Sequence, residues 1–539
     1  MRGICARRIR MASIESKGNR ACNSHSAWLP GFPEELMSGI GDRHGGTAGG
    51  ALTLGGKPVS VEIRLGRDAS CAAVQHSAWM LLNILRRLEG VVSAVRINCS
   101  SAIHAIPKLS PLIPNGAGLA EALLAGANAI GPVREGFAIV EPSEKRPSDV
   151  VISVGFEFCH DADFCASGDG LCGGLFGREI TPPNSFSELT IGPYISACLA
   201  AGEVFRMVRL ESYVPERQFF LNALDYSHSP DPLWSDLDIS GELRSVLLVG
   251  VGAVGSAFLH ALYPLPLRGT IFAADNDPEG IDETNLGRYP LFGWVSLGKA
   301  KASEAARLLR SASFQILPHD GGFEHFFAGR DKPSIVLSVV DKNAARHALQ
   351  EQYAPLILSA STNNLRAEVL RCGPPSVGAC LACFNPQESH QRTEDEIRTL
   401  LIERPEVVTR LCEKLRLNHD DVAGWIHDRK CGETGDRLIE ELRTDDGSVA
   451  SFAVGFVSVL SGTLLAAELL KVMSSNAEPL NETANRALFQ FQNPPAVTNR
   501  AHFYGRDENC TACSQQSVGT KIWRRRYDEF IETQKTIRR

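Results

Sequence analysis

The sequence predicts an α/β protein built from two doubly wound sheets, one degenerate and one intact. Three observations predict this class. Strand-like and helix-like segments alternate from about residue 60 to 210, as they do in a parallel sheet covered by helices. Two pairs of segments recur in the same order in the two halves of the chain. A glycine-rich turn after a buried strand occurs in the second half and has no counterpart in the first.

The composition is that of a globular protein and excludes several classes of function. Of the 539 residues, 44% are hydrophobic and 22% are charged, and 55 basic against 62 acidic residues give a net charge of -7. The chain as a whole therefore lacks the excess of positive charge that is typical of nucleic-acid-binding proteins. The uncharged run at 447–467 contains serine, threonine and glycine, so we expect buried core rather than a membrane span. Without a signal-peptide pattern, the location expected is cytoplasmic, with no membrane or nucleic-acid partner.

Composition and motifs divide the chain into four parts. Residues 1–57 are rich in glycine, serine and charge, and we expect a disordered arm. A degenerate α/β domain is predicted at 58–235 and an intact one at 236–515. The intact domain includes an insert at 385–447, and a basic, amphipathic tail occupies 516–539. The tail is expected to dock a partner or to form a solvated helix, and we favour the solvated helix.

The repeat between the two halves has two components. The matching segments are PSDVVISVG (147–155) with PSIVLSVVD (333–341), and ISACLAAGEVFRMV (195–208) with LSGTLLAAELLKVM (460–473). In the second pair Glu203 aligns with Glu468, and Arg206 aligns with Lys471. Two matches in one order indicate a duplicated α/β unit. Because the first copy lacks the glycine turn, we expect it to be the one without chemistry.

The glycine turn predicts a nucleotide site. SVLLVGVGAVG is a buried strand that runs into Gly250, Gly252 and Gly255, and a helix follows. The glycines permit a tight turn, and the N-terminus of the helix offers free N–H groups to a phosphate. Asp275 stands 20 residues beyond Gly255, at the end of the next strand, where an acid can bind a ribose hydroxyl.

Polar residues after this motif favour the splitting of ATP over hydride transfer. Asn285, Arg288 and Lys301 follow the ribose acid closely, and a dehydrogenase has no evident use for them. Cations can stabilise the charge that develops on pyrophosphate. Asp341 ends a buried strand where the first half has Gly155–Phe156, and a carboxylate at this edge of a sheet suits Mg²⁺.

The order of these motifs resembles the adenylation domain of ubiquitin-activating enzymes and their ThiF-like bacterial relatives. The resemblance covers about residues 240–515 and includes a G-x-G-x-x-G loop, D-x-D, N-L-x-R, G-x-x-K and a strand ending in aspartate. It implies a Rossmann-like fold, in which the three glycines cradle ATP and Asp275 binds ribose. It also implies phosphate contacts from Asn285, Arg288 and Lys301, and Mg²⁺ at Asp341. One departure is Tyr289, which replaces the glutamine that commonly follows the arginine.

Two C-x-x-C pairs predict a structural zinc site. Cys380, Cys383, Cys510 and Cys513 supply four thiolates with the usual two-residue gap, which is enough for one tetrahedral ion. Such an ion would hold the C-terminal segment on the sheet. A redox pair is the alternative interpretation.

The resemblance also implies a cysteine that forms a thioester, with candidates in or near the insert. Cys412 lies on the apolar face of a predicted helix and is expected in the core, and Cys372 is close to the zinc pair. Cys431 lies in the polar segment HDRKCGETG, where basic neighbours would lower the pKa of the thiol. We therefore choose Cys431, and the alternatives are that it is an inert surface cysteine or that a different residue is the nucleophile.

The function expected is the Mg-ATP-dependent activation of a ubiquitin-like protein that ends in glycine. The partner would be adenylated, passed to the cysteine and collected by a conjugating-type enzyme. The alternatives are a sulfur-carrier adenylyltransferase, an NAD-dependent dehydrogenase and an inactive scaffold. In the family that the chain resembles, an inactive domain pairs with the active one, or single domains form homodimers. A homodimer therefore stays open, and Arg64 and Arg67 are the early candidates for an arginine that reaches ATP.

Overall fold

The structure is a computed structural model, and it describes most of the chain beyond residue 55. The described ranges are 56–132, 136–140, 148–210, 213–239, 241–329, 332–363, 365–385, 394–428, 433–442, 454–474, 484–492, 494–495 and 500–538. The predicted arm therefore lies outside the described residues except for Gly56 and Lys57.

The first half forms an eight-stranded sheet in which the first five strands are parallel. Its strands are β1 Val59–Leu65, β2 Val92–Asn98, β3 Phe137–Val140, β4 Val150–Val154, β5 Phe164–Asp169, β6 Cys172–Phe176, β7 Phe219–Asn222 and β8 His228–Ser229. Their order across the sheet is β3-β2-β1-β4-β5-β6-β7-β8. Strands β6, β7 and β8 each pair antiparallel to the strand before them.

The second half forms another eight-stranded sheet. Its strands are β9 Glu242–Val249, β10 Arg268–Ala274, β11 Gln315–His319, β12 Ile335–Ser338, β13 Leu356–Asn363, β14 Arg366–Cys372, β15 Arg486–Gln490 and β16 Arg500–His502. Their order is β11-β10-β9-β12-β13-β14-β15-β16, with β14, β15 and β16 antiparallel. This is the order and the sense of the first sheet, strand for strand. The predicted pair of α/β sheets is confirmed, although each sheet is mixed rather than wholly parallel.

Helices lie between the strands along the chain, and helices of both halves contribute to one apolar core. In the first half they are α1 Ala72–Arg87, α2 Leu119–Ile130 and α3 Ile191–Arg209. In the second half they are α4 Ala253–Leu262, α5 Glu283–Leu286, α6 Lys301–Leu308, α7 Asn343–Glu351, α8 Leu381–Phe384, α9 Glu394–Glu403, α10 Pro405–Leu415, α11 His419–Asp428, α12 Glu433–Leu442, α13 Gly455–Met473 and α14 Val518–Arg538.

The aligned charges of the repeat form equivalent buried ion pairs. Glu203 pairs with Arg206 on α3, and Glu468 pairs with Lys471 on α13, each three residues apart and at most 2% exposed. Tyr226 of the first half donates its hydroxyl to Glu468 at 2.7 Å, so the second pair also joins the halves. Such charges are tolerated in a core only when they are paired and hydrogen-bonded.

One apolar core runs through both halves, and α13 lies within it. Among the described residues, α13 is the one helix long and apolar enough to cross a membrane, and 94% of its apolar window is buried inside the protein. The prediction that the run at 447–467 is buried core is therefore confirmed for the part described, 454–467.

Helices α9 to α12 pack around a small core of their own and fall within the range predicted for the insert. The C-terminal helix α14 differs from the expected solvated helix. Trp523 on α14 is fully buried, its indole N–H donates to the carbonyl of Pro355 at 3.3 Å, and Arg526 donates to the carbonyl of Gln352 at 2.8 Å. The apolar face of the tail therefore packs against this chain.

Candidate nucleotide site

The glycine loop lies at the carboxyl end of β9, in the middle of the second sheet. Gly250 has a φ of +99°, which favours glycine, and an added Cβ would lie 3.0 Å from the carbonyl oxygen of Val339. A Cβ on Gly255 would overlap the carbonyl of Gly250. Gly252 is the N-cap of α4, so the first N–H groups of this ten-residue helix have no partner within the helix. The loop has the geometry of an anion site.

Asp275 is hydrogen-bonded to this loop. Its Oδ2 accepts from the backbone N–H of Val251 at 2.6 Å, and its Oδ1 accepts from the N–H of Asp277 at 3.1 Å. The contact follows from topology, because β9 and β10 are parallel neighbours whose carboxyl ends meet. The predicted acid and the predicted glycine loop therefore belong to one site.

Tyr289 brings the two predicted cations to the same place. The guanidinium of Arg288 and the ammonium of Lys301 each lie 5.6 Å from the centre of its ring. Its hydroxyl lies 3.4 Å from the position of a Cβ on Gly252. The substitution noted in the sequence thus places an aromatic ring beside the glycine loop and near both cations, at a distance where cation–π attraction acts.

Lys301 begins α6 and is only 7% exposed. Its ammonium is paired with the carboxylate of Asp277. Burial opposes the charge, but Tyr289 together with the carboxylates of Asp277 and Asp275 outweighs burial and raises the pKa of Lys301. Lys301 is therefore a held cation beside the glycine loop. Sequence reasoning missed the role of Asp277, although it is the second acid of the D-x-D motif.

Asn285 is buried and has one unused acceptor. Its side-chain amide N–H donates to Asp282 at 2.8 Å, whereas its Oδ1 is buried without a hydrogen-bond partner among the described residues. A buried acceptor without a partner is unusual and fits a ligand contact. In this orientation Asn285 would accept a hydroxyl or an N–H rather than donate to a phosphate.

Asp341 lies three residues beyond β12, the strand next to β9. It is exposed and makes no hydrogen bond or ion pair with any residue that the structure describes. Arg346 on α7 interacts with it electrostatically: burial lowers the pKa of Arg346, and the charge of Asp341 partly offsets that effect. Asp341 thus lies at the edge that holds the glycine loop, and its role as a ligand of Mg²⁺ stays a prediction.

The pairing register relates the two halves to within one residue. Leu65 pairs with Val154 in the first sheet, and Val249 pairs with Ser338 in the second, and all four end their strands. Counting from these pairs, the counterpart of Asp341 is Glu157. Counting instead from the first pairs of these strands, Val61 with Val150 and Val246 with Ile335, gives Phe156, which lies in the expected range Gly155–Phe156.

Counting from the last pairs places Asp68 within one residue of the counterpart of Gly252, and Ser100 within one residue of that of Asp275. The carboxylate of Asp68 accepts from the N–H of Phe156 at 2.5 Å, so it lies between the ends of β1 and β4. Burial, and the charge of Glu157 to a lesser extent, raise its pKa. The first half therefore has an acid where the second has an open glycine loop.

The first half nevertheless retains a cleft of about 1270 Å³ at this edge. Arg64 and Arg67, the candidates for an arginine that reaches ATP, both line this cleft of their own sheet. Arg64 is paired with Glu62 at 3.1 Å and donates to Cys159 at 3.4 Å.

The four predicted zinc ligands converge. Their sulfur atoms all lie within 4.8 Å of one another, and Cys380 is 3.7 Å from both Cys383 and Cys510. Cys383 is 3.3 Å from Cys513. A tetrahedral zinc–thiolate site with bonds of about 2.3 Å requires sulfur separations of about 3.8 Å. The spacing fits a single zinc ion and is too wide for disulfides.

Two of the three candidate reactive cysteines are buried. Cys372 is fully buried, which raises the pKa of its thiol, and Cys412 is 4% exposed in the core of the insert. The expectation that Cys412 is a core residue is confirmed. Cys431 lies outside the described residues, so its choice stays a prediction.

Comparisons with known proteins gave one matching family and several similar proteins. The sequence model of the ThiF family matches residues 241–512. The uncharacterized protein y4jF of Sinorhizobium fredii (strain NBRC 101917 / NGR234) is 24% identical over 439 residues, which cover 75% of this chain and 79% of that protein. The structure of E. coli MccB with MccA-N7isoASN is 17% identical, with a TM-score of 0.36, and the match covers 51% of this chain and 68% of that chain. For E. coli MccB with ATP the values are 17%, 0.33, 51% and 67%.

Proposed function

This chain belongs to the ThiF family, and from that premise we propose that it uses Mg-ATP to adenylate the C-terminal carboxylate of a small ubiquitin-like protein. The observation that carries the proposal is the arrangement around Tyr289, where the glycine loop, Arg288 and Lys301 meet. A phosphate bound at the loop would have two cations within reach. Such an arrangement suits a reaction that develops charge on pyrophosphate.

ATP would be held by residues of the second half. The N-terminus of α4 would bind phosphate through backbone N–H groups, and Asp275, already fixed to the loop, would bind the ribose. Asn285 would offer its unused acceptor to a sugar hydroxyl or to the base. Asp341 would hold Mg²⁺, which would neutralise phosphate charge.

In the proposed reaction, a carboxylate oxygen of the terminal glycine forms a bond to the α-phosphorus of ATP. The bond from that phosphorus to the bridging oxygen breaks, and pyrophosphate leaves. Lys301 and Arg288 stabilise the charge that builds on the leaving group. Before ATP binds, Asp277 holds Lys301, and phosphate would compete with that carboxylate for the ammonium.

The two halves would have different roles. The carboxylates of Asp68 and Glu157 line the first cleft, at the edge of the sheet where the second half has its glycine loop and Asp341. Their charge would repel a triphosphate. We therefore assign adenylation to the second half and an inactive, supporting role to the first.

The second step would be transfer to a cysteine. The thiolate of Cys431 would attack the acyl carbon of the adenylate, releasing AMP and forming a thioester. A conjugating-type enzyme would then accept the product. The burial of Cys372 and Cys412 supports this choice, because a buried thiol with no access to a protein partner is a poor nucleophile.

Zinc would be structural. The four sulfur atoms are buried and close the coordination sphere, which leaves no position for a substrate. When bound, the ion would join the segment after β14 to the segment before α14, and its binding free energy would contribute to folding.

The test is pyrophosphate exchange into ATP in the presence of ubiquitin-fold proteins that end in glycine. Each is compared with the same protein lacking its terminal glycine. Exchange that requires that glycine supports adenylation, and a Lys301→Met variant should lower it about 100-fold. Lys299→Met is the matched control, because Lys299 is 44% exposed and pairs with Glu304 rather than with the site. Exchange by Lys301→Met at the rate of the control would refute the proposed role of Lys301.

Two other functions are separated by further measurements. A sulfur-carrier adenylyltransferase would also show exchange but would pass the carrier to a sulfur donor. An adduct with Cys431 that is cleaved by thiols and transferred to a conjugating enzyme supports the first proposal over this one. Binding of NAD without binding of ATP would establish a dehydrogenase instead.

A further inference from the structure

The first half contributes a buried arginine to the loop that carries Arg288. Arg87, the last residue of α1, is 2% exposed, and its guanidinium donates to three backbone carbonyls of the second half. The acceptors are Leu286, Phe292 at 2.8 Å and Pro290 at 3.4 Å. They stand about 200 residues further along the chain.

These contacts lie on both sides of the residues that form the nucleotide site. Leu286 precedes Arg288 and Tyr289, and Pro290 and Phe292 follow them. The three residues between the nearest anchors therefore form a short arch whose two ends are fixed by one side chain. The ring of Tyr289 then faces Gly252, and the side chain of Arg288 lies against that ring.

Asn83 completes this contact. It lies one helical turn before Arg87 on α1 and accepts from the Nε of Arg87 at 2.7 Å. Its own side-chain N–H donates to the carbonyl of Pro290 at 3.0 Å. The side chain of Arg87 is thus held at its Nε while its other nitrogens reach the arch. Burial, and to a lesser degree Arg86, lower the pKa of Arg87 to about 9, so it stays charged at neutral pH.

We propose that Arg87 is a positioning residue through which the first half holds residues 286–292, and with them Arg288 and Tyr289 of the arch, in the geometry that binds phosphate. The catalytic part of this inference rests on the proposed function. A degenerate half that has lost its own nucleotide loop would then be required for the geometry of the intact one. Misplacement of a charge-stabilising group by about 1 Å can cost about 100-fold in rate.

The experiment compares Arg87→Met and Arg87→Lys with Arg86→Met in the full chain. Arg86 is the matched control, since it is a buried arginine on the same helix that donates to the carbonyl of Pro132 and lies over Phe137 within the first half. The first readout is hydrogen exchange by mass spectrometry. Peptides covering 283–292 should exchange faster in Arg87→Met, whereas peptides of α4 should not change.

The second readout is the kinetics of pyrophosphate exchange. Arg87→Met should lower kcat/KM for ATP by about 10- to 100-fold, Arg87→Lys should recover part of this loss, and Arg86→Met should stay near the wild type. If Arg87→Met does not fold, Asn83→Ala removes one anchor and should give a smaller change in the same direction.

The two proposals fail in different ways. Absence of exchange activity in the wild type would overturn the proposed function, while hydrogen exchange would still report on the arch. Two results would overturn the positioning role even in an active enzyme. One is an unchanged rate of hydrogen exchange at 283–292 in Arg87→Met, and the other is an equal increase of that rate in Arg86→Met.

Discussion

Two buried histidines between the halves should make the protein sensitive to acid. His76 on α1 is 4% exposed and His260 on α4 is fully buried. The indole N–H of Trp79 donates to Nε2 of His260 at 3.3 Å, so its Nδ1 carries the proton and donates to the hydroxyl of Tyr194 at 2.8 Å. The ring of His260 is therefore held in the neutral form. Burial lowers the pKa of His76 to about 4 and, with smaller effects of His76 and Arg87, that of His260 to about 3.

The sign of the effect follows from proton uptake. In the unfolded chain both histidines have a pKa of about 6.5 and take up protons below that pH, whereas the folded chain resists protonation until about pH 4 and 3. Their contribution to stability is complete above pH 6.5 and is lost as the pH falls toward those values. At pH 5 the loss is about 1.5 pH units for each group, or about 2 kcal/mol each and about 4 kcal/mol together.

The assay is urea unfolding at pH 7.5 and pH 5.0, for the wild type and for a variant carrying His76→Gln and His260→Gln. Comparing the two proteins removes the contribution of other groups, such as Asp169, whose pKa burial raises to about 6 and whose effect has the opposite sign. The wild type should lose about 4 kcal/mol more than the variant between the two pH values. The reasoning is wrong if both lose the same amount, or if labelled His76 and His260 titrate near pH 6.5 in the folded protein.

Other predictions concern the nucleotide site, the metal and the C-terminal helix. Gly252→Asp, which installs an acid like the Asp68 that lines the first cleft, should weaken binding of a non-hydrolysable ATP analogue at least 100-fold in calorimetry. Gly252→Ala should bind nearly as the wild type, because its Cβ would only touch the hydroxyl of Tyr289 at 3.4 Å. Cys513→Ser should lower the zinc content below one ion per chain and lower the Tm, and a normal content would contradict the site. Trp523→Ala should destabilise the protein by about 3 to 5 kcal/mol in denaturant unfolding. Arg525→Ala, on the exposed face of α14, should be near neutral.

Local patterns were sufficient for the parts of the site that depend on short stretches of chain. Gly250 and Asp275 could be placed from sequence because each follows a buried strand, and parallel neighbours end at one edge of the sheet. The repeat was also readable, since Glu203 and Glu468 align and both form ion pairs. The resemblance to ThiF-like proteins is confirmed by the family match over residues 241–512.

Other features had only weak signals in the sequence. Tyr289 was noted as a departure, but its place near two cations depends on where α6, which begins with Lys301, packs in the fold. Arg86 and Arg87 end a helix that has no other charged residue. A pattern of this kind indicates that the two guanidinium groups have hydrogen-bond partners, but it does not identify those partners. The expectation of a solvated C-terminal helix was wrong for the face that carries Trp523. This side chain packs beside Pro355, which lies 168 residues earlier in the chain, and the tail sequence does not indicate that contact.

The sequence by itself determined the class of fold, the nucleotide loop and the two cysteine pairs. Strand, turn and ligand spacing act over a few residues, so their chemistry is readable along the chain. Only the tertiary structure decided which residues of the first half contact the nucleotide site of the second half. Asp68 and Glu157 meet in one cleft because the ends of β1 and β4 are neighbours, and Arg87 reaches its acceptors through the packing of the two halves. The physical reason is that contacts across some 200 residues are selected by the fit of whole buried surfaces, which no short pattern encodes.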